Sequence, residues 1–169
     1  MKNQFYVTSF DRSYTLLNFD CGVEYLNKYL TNYAAQDIKR HLASVFICVF
    51  NDNNNKKVIG YYTLSSSYID ITKLDKDYTK KLPHYPYLPA VLIGRFAIDR
   101  NYQGKKIGEY LLMDSLYRVF KSEIAAFAAI VNAKDSKAAS FYKNYGFIQF
   151  IDTPNKLFLP MTVITKIFS

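Results

Sequence analysis

Apolar positions along this chain repeat with two different periods, and the switches between them mark its elements. Val23, Leu26, Tyr29, Leu30 and Tyr33 recur at three- and four-residue spacing, as on one face of a helix. They predict a helix after the turn at Phe19-Asp20-Cys21-Gly22, with a second helical piece over 31–40. Residues 45–50 are continuously apolar and predict a buried strand. The run Asn51-Asp52-Asn53-Asn54-Asn55 predicts a turn, because Asn and Asp tolerate left-handed backbone, and 57–67 returns as the second strand of a hairpin. Residues 69–87 are polar and carry Pro83 and Pro86, which predicts a short helix and a loop. A central strand over 91–99, a helix over 107–121, a strand over 127–132 and a helix over 135–145 follow, the last stopped by Gly146. Two closing strands are predicted at 147–151 and 158–166.

This order of elements predicts an α/β or α+β chain, a sheet with helices on its faces. A chain of 169 residues without internal repeat or linker-like composition is expected to be one domain over 1–169. Sixteen Tyr and thirteen Phe with no Trp are unusual; they serve either an aromatic core or a Tyr-rich partner surface. No run of about 18 apolar residues is present, so no membrane-spanning helix is expected. The start, Met1-Lys2-Asn3-Gln4-Phe5-Tyr6-Val7, has no apolar stretch of the secretory kind, so no signal peptide is expected. Cys21 and Cys48 lie far apart and outside any C-x-x-C; they fit reduced cytoplasmic thiols better than a disulfide or zinc framework. The net charge of +8 favours a polyanionic partner such as RNA, CoA or an acidic protein.

The chemistry concentrates in 92–112, which reads strand, Gly-containing turn, helix. A helix start presents unpaired N–H groups and the positive end of the macrodipole, and glycines let that backbone approach an anion. Lys105 and Lys106 add charge beside it. The turn therefore reads as a phosphate cradle. It contains neither G-x-x-x-x-G-K-[ST] nor G-x-G-x-x-G, which sets aside the common triphosphate and dinucleotide loops. What it resembles is the Q/R-x-x-G-x-G/A loop of the GNAT acyltransferases, which holds the pyrophosphate of acetyl-CoA. Here the loop is Gln103-Gly104-Lys105-Lys106-Ile107-Gly108. Gln103 and Gly108 match, whereas Lys106 stands where the family has its middle glycine. A lysine there is tolerable at negative φ and costs about 1 kcal/mol or so at positive φ.

A second segment, from Asn132 to Phe147, is similar to the family's N-x-x-x-x-x-A-x-x-F-Y-x-x-x-G-F ending, which sets a tyrosine near the thioester. By spacing, Ala138, Phe141, Tyr142 and Tyr145 share one helix face. Tyr142 is then either a core aromatic on that face or, as the resemblance implies, a catalytic group. An amine attacks the acetyl thioester and a thiolate leaves. Because thiol and phenol reference values are about 8.5 and 10, Tyr142 helps chiefly by hydrogen-bonding the departing sulfur. The resemblance covers nearly the whole chain. It implies a mixed central sheet with a splayed strand pair and helices on both faces, and acetyl-CoA as co-substrate. It places the cofactor on Phe96, Ala97, Ile98, Gln103, Gly104, Lys105, Lys106, Ile107, Gly108, Glu109, Asn132 and Ala138, with backbone N–H groups of 96–98 toward the developing oxyanion.

Within that family, Phe19-Asp20-Cys21-Gly22-Val23-Glu24-Tyr25-Leu26-Asn27-Lys28-Tyr29-Leu30 resembles the F-D-C-G-x-x-x-L-x-x-[FY]-L opening of the GNAT toxins, and Ile93-Gly94-Arg95-Phe96-Ala97-Ile98-Asp99 their [LI]-G-R-[LF]-A-[VI]-D strand. This narrower resemblance implies acetylation of the α-amino group of aminoacyl-tRNA. It also implies neutralisation by a ribbon-helix-helix antitoxin, a homodimer, and action in the cytoplasm. The charge of +8 agrees, since phosphate contacts dominate binding to such an RNA. An α-amino group with a reference pKa of about 7.7 is already partly neutral, so no strong enzyme base is needed. Arg95 contacts substrate or cofactor on one reading and pairs with a carboxylate on the other. His41 and His84 are the only histidines, and nothing in the sequence pairs either with a carboxylate; no metal-ligand spacing occurs. Two other functions stay open: a GNAT acting on a small amine or a protein N-terminus, and an inactive GNAT-like protein that binds acyl-CoA.

Overall fold

The computed structural model describes residues 4–14, 16 and 18–169; residues 1–3, with which the segment read for a signal peptide begins, lie outside the described residues. Among the described residues seven strands hydrogen-bond in the order β1-β2-β3-β4-β5-β7-β6. The chain divides into two compact units, Met1–Ser65 with Arg95–Ser115 and Ser66–Gly94 with Leu116–Ser169.

The first unit opens with a strand the apolar pattern did not single out, β1 (Phe5–Ser9), paired antiparallel with β2 (Ser44–Asp52) from Phe5↔Phe50 to Ser9↔Phe46. Between them the helical pattern breaks into α1 (Glu24–Lys28), a π-helical turn (Tyr29–Tyr33) and α2 (Ala34–Lys39). β2 and β3 (Asn55–Asp70) form the expected hairpin, and Asn53 and Asn54 at its tip take φ of 45° and 71°, as the Asn-rich turn requires. Their register slips between Cys48 and Val49: Cys48 faces Gly60, Val49 faces Val58, and Ile59 bulges. The Ile59 carbonyl accepts from the Asp99 N–H at 2.8 Å and ties down the end of β4 (Tyr87–Ile98). The unit's core joins Phe19, Leu26, Tyr29, Leu30 and Ala34 to Val45, Ile47 and Val49 of β2, Val58 and Tyr61 of β3 and Ala97 of β4. Tyr61 is fully buried at no polar cost, because its hydroxyl donates to the Leu26 carbonyl at 2.7 Å. After a 3-10 turn (Arg100–Tyr102) the chain enters α4 (Ile107–Lys121).

In the second unit β4 runs parallel to β5 (Ala128–Asn132) from Ala90↔Ala128 to Ile93↔Val131, and β5, β7 (Thr153–Pro160) and β6 (Ile148–Phe150) continue antiparallel. The parallel and antiparallel ladders together make the mixed α/β sheet that the order of elements predicts. Beyond β3 lie a 3-10 turn (Ile71–Lys73) and α3 (Lys76–Thr79). Ile69, Leu74, Leu88, Ala90, Ala128, Ile130, Phe150 and Phe158 form the core. Tyr78 packs edge-on against Phe127 and Phe158, with centroids 6.1 and 5.7 Å away. The predicted strand over 158–166 is corrected: β7 ends at Pro160, and Met161–Phe168 is helix α6. Pro160 has no N–H to extend a ladder, and the Met161 N–H turns to the Phe127 carbonyl at 2.8 Å. From there Met161, Ile164 and Phe168 are the more buried positions, a helical spacing hidden among β-branched residues.

Candidate active site

The two halves of the predicted site are built separately. Residues 95–98 and 103–109 belong to the first unit, and Asn132, Ala138 and Tyr142 to the second.

The turn after β4 is clasped by the opening segment of the chain. Asp99 is 1 % exposed; its carboxylate accepts from the N–H groups of Asn101 at 3.0 Å and Asp20 at 3.2 Å. Asp20 in turn accepts from the Gly22 N–H and from Asn27 Nδ2, both at 2.9 Å, and its carboxylate meets Arg100 Nε at 3.4 Å. The hydrogen bonds from Gly22 and Asn27, and then the Arg100 charge, hold this carboxyl below its usual range. Gly22 takes φ +88°, and a Cβ there would meet Arg100 Nε at 3.2 Å. Gln103 closes the clasp: its Nε2 donates to the carbonyls of Cys21 at 3.1 Å and Ile98 at 2.9 Å. The amide of Gln103 is thus spent on shaping the turn. The Phe19-Asp20-Cys21-Gly22 motif and the Gln103 loop are two sides of one structure.

Past Gln103 the backbone turns left-handed twice, at Gly104 (φ 76°) and Lys106 (φ 62°), before α4 opens at Ile107. Nothing lies within 4 Å of a Cβ added at Gly104, so this backbone stands in open space. Lys106 occupies the positive-φ position where the resembling loop has glycine, a strain of about 1–2 kcal/mol. Lys105 and Lys57 both set their ammonium groups 5.5 Å from the Tyr102 ring centroid, and Phe50 packs on that ring at 5.6 Å. Lys57 did not stand out in the sequence; the hairpin brings it to the turn from β3. Open backbone, three lysines and the start of a 15-residue helix together suit a polyphosphate.

Arg95 lies in β4 with its guanidinium carbon 3.8 Å from the centroid of the Tyr29 ring. Its N–H is held by the buried Thr63 hydroxyl at 2.9 Å, and no carboxylate pairs with it among the described residues. Tyr29 donates its hydroxyl to Asp37 Oδ2 at 2.9 Å; burial and then this bond push its phenol up to about 12.

In the second unit α5 (Ser136–Asn144) begins on Asp135, whose carboxylate accepts the Ala138 N–H at 2.8 Å. It ends as the glycine predicts. Gly146 has φ 92°, its N–H reaches the Lys143 carbonyl, and the Phe147 N–H reaches the Tyr142 carbonyl at 3.2 Å. This cap fixes Tyr142 between Phe141 and Phe147, with centroids 5.3 and 5.5 Å away. Tyr142 is 5 % exposed, and burial raises its phenol so that it stays protonated through the physiological range. Asn132 ends β5 and is exposed. His41 and His84 are both exposed, and no His, Cys, Asp and Glu group able to hold a metal occurs among the described residues.

The sequence profile of the acetyltransferase (GNAT) domain matches residues 90–163, from the middle of β4 into α6. A curated relative, the tRNA-acetylating toxin of Mycobacterium tuberculosis (strain ATCC 25618 / H37Rv), is 27% identical over 77% of this chain and 76% of its own. The solved structure of AtaT complexed with acetyl-methionyl-tRNAfMet is 33% identical, covers 98% of this chain and 99% of its own, and superposes with a TM-score of 0.88. A mutant AtaT toxin bound to the C-terminus of the antitoxin AtaR and acetyl-CoA is 28% identical over 99% of both chains, with a TM-score of 0.84. Likeness of this extent goes beyond a shared fold, and the chain belongs to the GNAT acetyltransferase family.

Proposed function

We propose that this protein transfers the acetyl group of acetyl-CoA to the α-amino group of an aminoacyl-tRNA, and so acts as the toxin of a toxin–antitoxin pair. The observation that carries the reading is the full-length likeness to AtaT, whose structure holds an acetylated aminoacyl-tRNA. The turn supports it from the chain's own residues, since open backbone at Gly104, the lysines 57, 105 and 106 and the α4 start fit the pyrophosphate of CoA.

Acetyl-CoA supplies an activated thioester at which an amine exchanges for a thiolate. The residues of this chain do the rest. Gly104, Lys105, Lys106, Ile107, Gly108 and Glu109 hold the diphosphate, with Gln103 fixing the turn. Phe96, Ala97 and Ile98 line the pantetheine arm and turn backbone donors toward the carbonyl oxygen, while Asn132 and Ala138 flank the cofactor. Tyr142, protonated and dehydrated, donates to the sulfur as the carbon–sulfur bond breaks. Arg95 contacts the RNA substrate. The incoming amine is partly neutral at physiological pH and sheds its proton to solvent as the amide forms. In this reading the chain works as one acetyltransferase domain in the cytoplasm and as a homodimer, silenced by a ribbon-helix-helix antitoxin.

The test is incubation with labelled acetyl-CoA and total charged tRNA. Label is expected on the amino acid of charged tRNA and absent from uncharged tRNA. Expression of the protein alone is expected to stop growth, and expression of Tyr142→Phe to permit it. Efficient turnover of a free amine, with charged tRNA left unlabelled, would replace this reading with a small-amine acetyltransferase.

A further inference from the structure

Arg95 carries an interaction deficit that the fold does not explain. Guanidinium groups withdrawn from water are costly unless paired. This one is half-buried, and among the described residues it meets no carboxylate. Its one described side-chain partner is the Tyr29 ring, 3.8 Å below the guanidinium carbon. A ring satisfies the flat face of a guanidinium through its quadrupole and leaves the five N–H donors pointing outward in the plane. A planar fork held by its face suits a bidentate anion, and phosphate or carboxylate oxygens match it best.

The platform under Arg95 is itself immobilised. Tyr29 is 4 % exposed. It donates to Asp37 at 2.9 Å and stacks on Tyr61, with planes 18° apart and centroids separated by 6.1 Å. Tyr61 is anchored in turn on the Leu26 carbonyl. Tyr29 also opens the π-helical turn Tyr29–Tyr33, the one place where the helical segment departs from α geometry. Such turns widen a helix by one residue and concentrate at functional sites. Here the first residue of the turn carries its ring under Arg95 of β4 and its hydroxyl to Asp37. A hydroxyl bonded to a carboxylate enriches the ring in electrons, which strengthens its hold on the cation.

We propose that Arg95 binds the phosphodiester next to the 3′-terminal nucleoside of the RNA acceptor, and that Tyr29 and Asp37 are positioning residues that hold its fork for that phosphate. This rests on the aminoacyl-tRNA reading above and names the group recognised. The chemistry of the acceptor selects it. An aminoacyl ester carries an amine and a neutral carbonyl, so the fixed anion nearest the reacting nitrogen is the phosphate on the 5′ side of the terminal nucleoside. The phosphates of CoA share this chemistry and are the other source an experiment has to separate.

Four kinetic readouts separate them, taken on variants whose thermal unfolding and acetyl-CoA affinity are checked first. Arg95→Gln is expected to raise KM for charged tRNA by about 10-fold or more, as for loss of a buried charge pair. It is expected to flatten the slope of log KM against log salt by about 0.7, one phosphate's worth, and to leave KM for acetyl-CoA unchanged. Arg95→Lys keeps the slope and raises KM, because a point charge replaces the fork. Tyr29→Phe retains the ring, loses Asp37, and is expected to raise KM for charged tRNA without touching the slope or kcat. With minimal acceptors, the wild type is expected to prefer an aminoacyl ester of adenosine 5′-phosphate over the same ester of adenosine, and Arg95→Gln to lose that preference. A rise in KM for acetyl-CoA instead would assign the anion to CoA and overturn the proposal. So would an Arg95→Gln enzyme that keeps both the slope and the phosphate preference. A wild-type enzyme that leaves charged tRNA unmodified would fail one step earlier and remove the reading on which this proposal stands.

Discussion

Lys106 holds φ at 62°, a region that costs an L-residue about 1–2 kcal/mol, in a turn whose relatives in pattern use glycine. The strain is tolerable where the ammonium group serves a diphosphate. Lys106→Gly is therefore expected to stabilise the fold by about 1 kcal/mol, a rise in Tm of roughly 2–4 °C, and yet to weaken acetyl-CoA binding, most visibly at low salt. Calorimetry with and without acetyl-CoA measures both effects; a variant that gains stability and keeps its affinity would deprive Lys106 of its role in binding. Tyr142→Phe removes one hydroxyl from a site packed by Phe141 and Phe147. The loss is expected in kcat, by roughly 10²-fold, with acetyl-CoA affinity unchanged. Cys48 makes a different point. Its side chain is fully buried, and burial pushes the thiol from 9.0 up to about 12. A folded value above the unfolded one means that this stabilisation is complete below pH 9 and is lost as pH rises toward 12. The native protein is expected to resist alkylation at Cys48 at pH 8, and Cys48→Val to flatten the alkaline limb of a stability profile.

The contacts of β3 with β4 and α4 in the first unit depend on Gly60. A Cβ there would meet Leu111 Cδ1 at 2.9 Å, Ile98 Cδ1 at 3.0 Å and the Ala97 carbonyl at 3.1 Å. Two of these are side-chain ends that can yield; the backbone oxygen is not. Gly60→Ala is expected to cost about 1–3 kcal/mol by overpacking, read as a lower urea midpoint. It is also expected to disturb acetyl-CoA binding, because Ala97 and Ile98 belong to the strand that leads into the turn. The neighbouring bulge at Ile59 works in the same place, since its carbonyl holds the Asp99 N–H. The bulge, the Asp20–Asp99–Asn27 network and Gln103 thus share one task, fixing where β4 stops and α4 begins.

For the molecule as a whole, +8 net charge is a statement about partners. Binding of charged tRNA is expected to weaken steeply with salt, each phosphate contact adding about 0.7–0.9 to the slope of log K against log salt. Acetyl-CoA, with fewer charges to neutralise, is expected to respond much less. Gly108→Glu separates the two in the other direction. It places a carboxylate in the first turn of α4, where we propose the diphosphate binds, and is expected to abolish acetyl-CoA binding while tRNA binding and the unfolding temperature persist. Equilibrium titration of both ligands at two salt concentrations checks this, and intact acetyl-CoA affinity in folded Gly108→Glu would move the diphosphate elsewhere.

Local rules were enough for much of this protein. The Asn-rich hairpin tip, the strand–turn–helix of 92–112 and the Gly146 stop are each set by neighbours within a few residues, and the fold keeps them; the three-and-four spacing from Val23 is kept only in part, since a π-helical turn interrupts it at Tyr29–Tyr33. The acetyltransferase family was likewise readable, because its phosphate turn and Phe-Tyr helix end are contiguous in the chain. What escaped has a common cause in contacts between residues far apart. β1 is a short strand of five residues that exists through its ladder to β2. Residues 161–168 carry a β-branched composition, and their helix is decided by Pro160 closing the ladder and by the Phe127 carbonyl taking the Met161 N–H. Lys57 reaches the turn after β4 through the hairpin, and Gln103 is held across that turn by carbonyls at Cys21 and Ile98. Sequence left Arg95 between a substrate contact and an ion pair. Among the described residues packing gives it no ion pair and puts under it the ring of Tyr29, first residue of the π-helical turn, a contact across 66 residues of sequence.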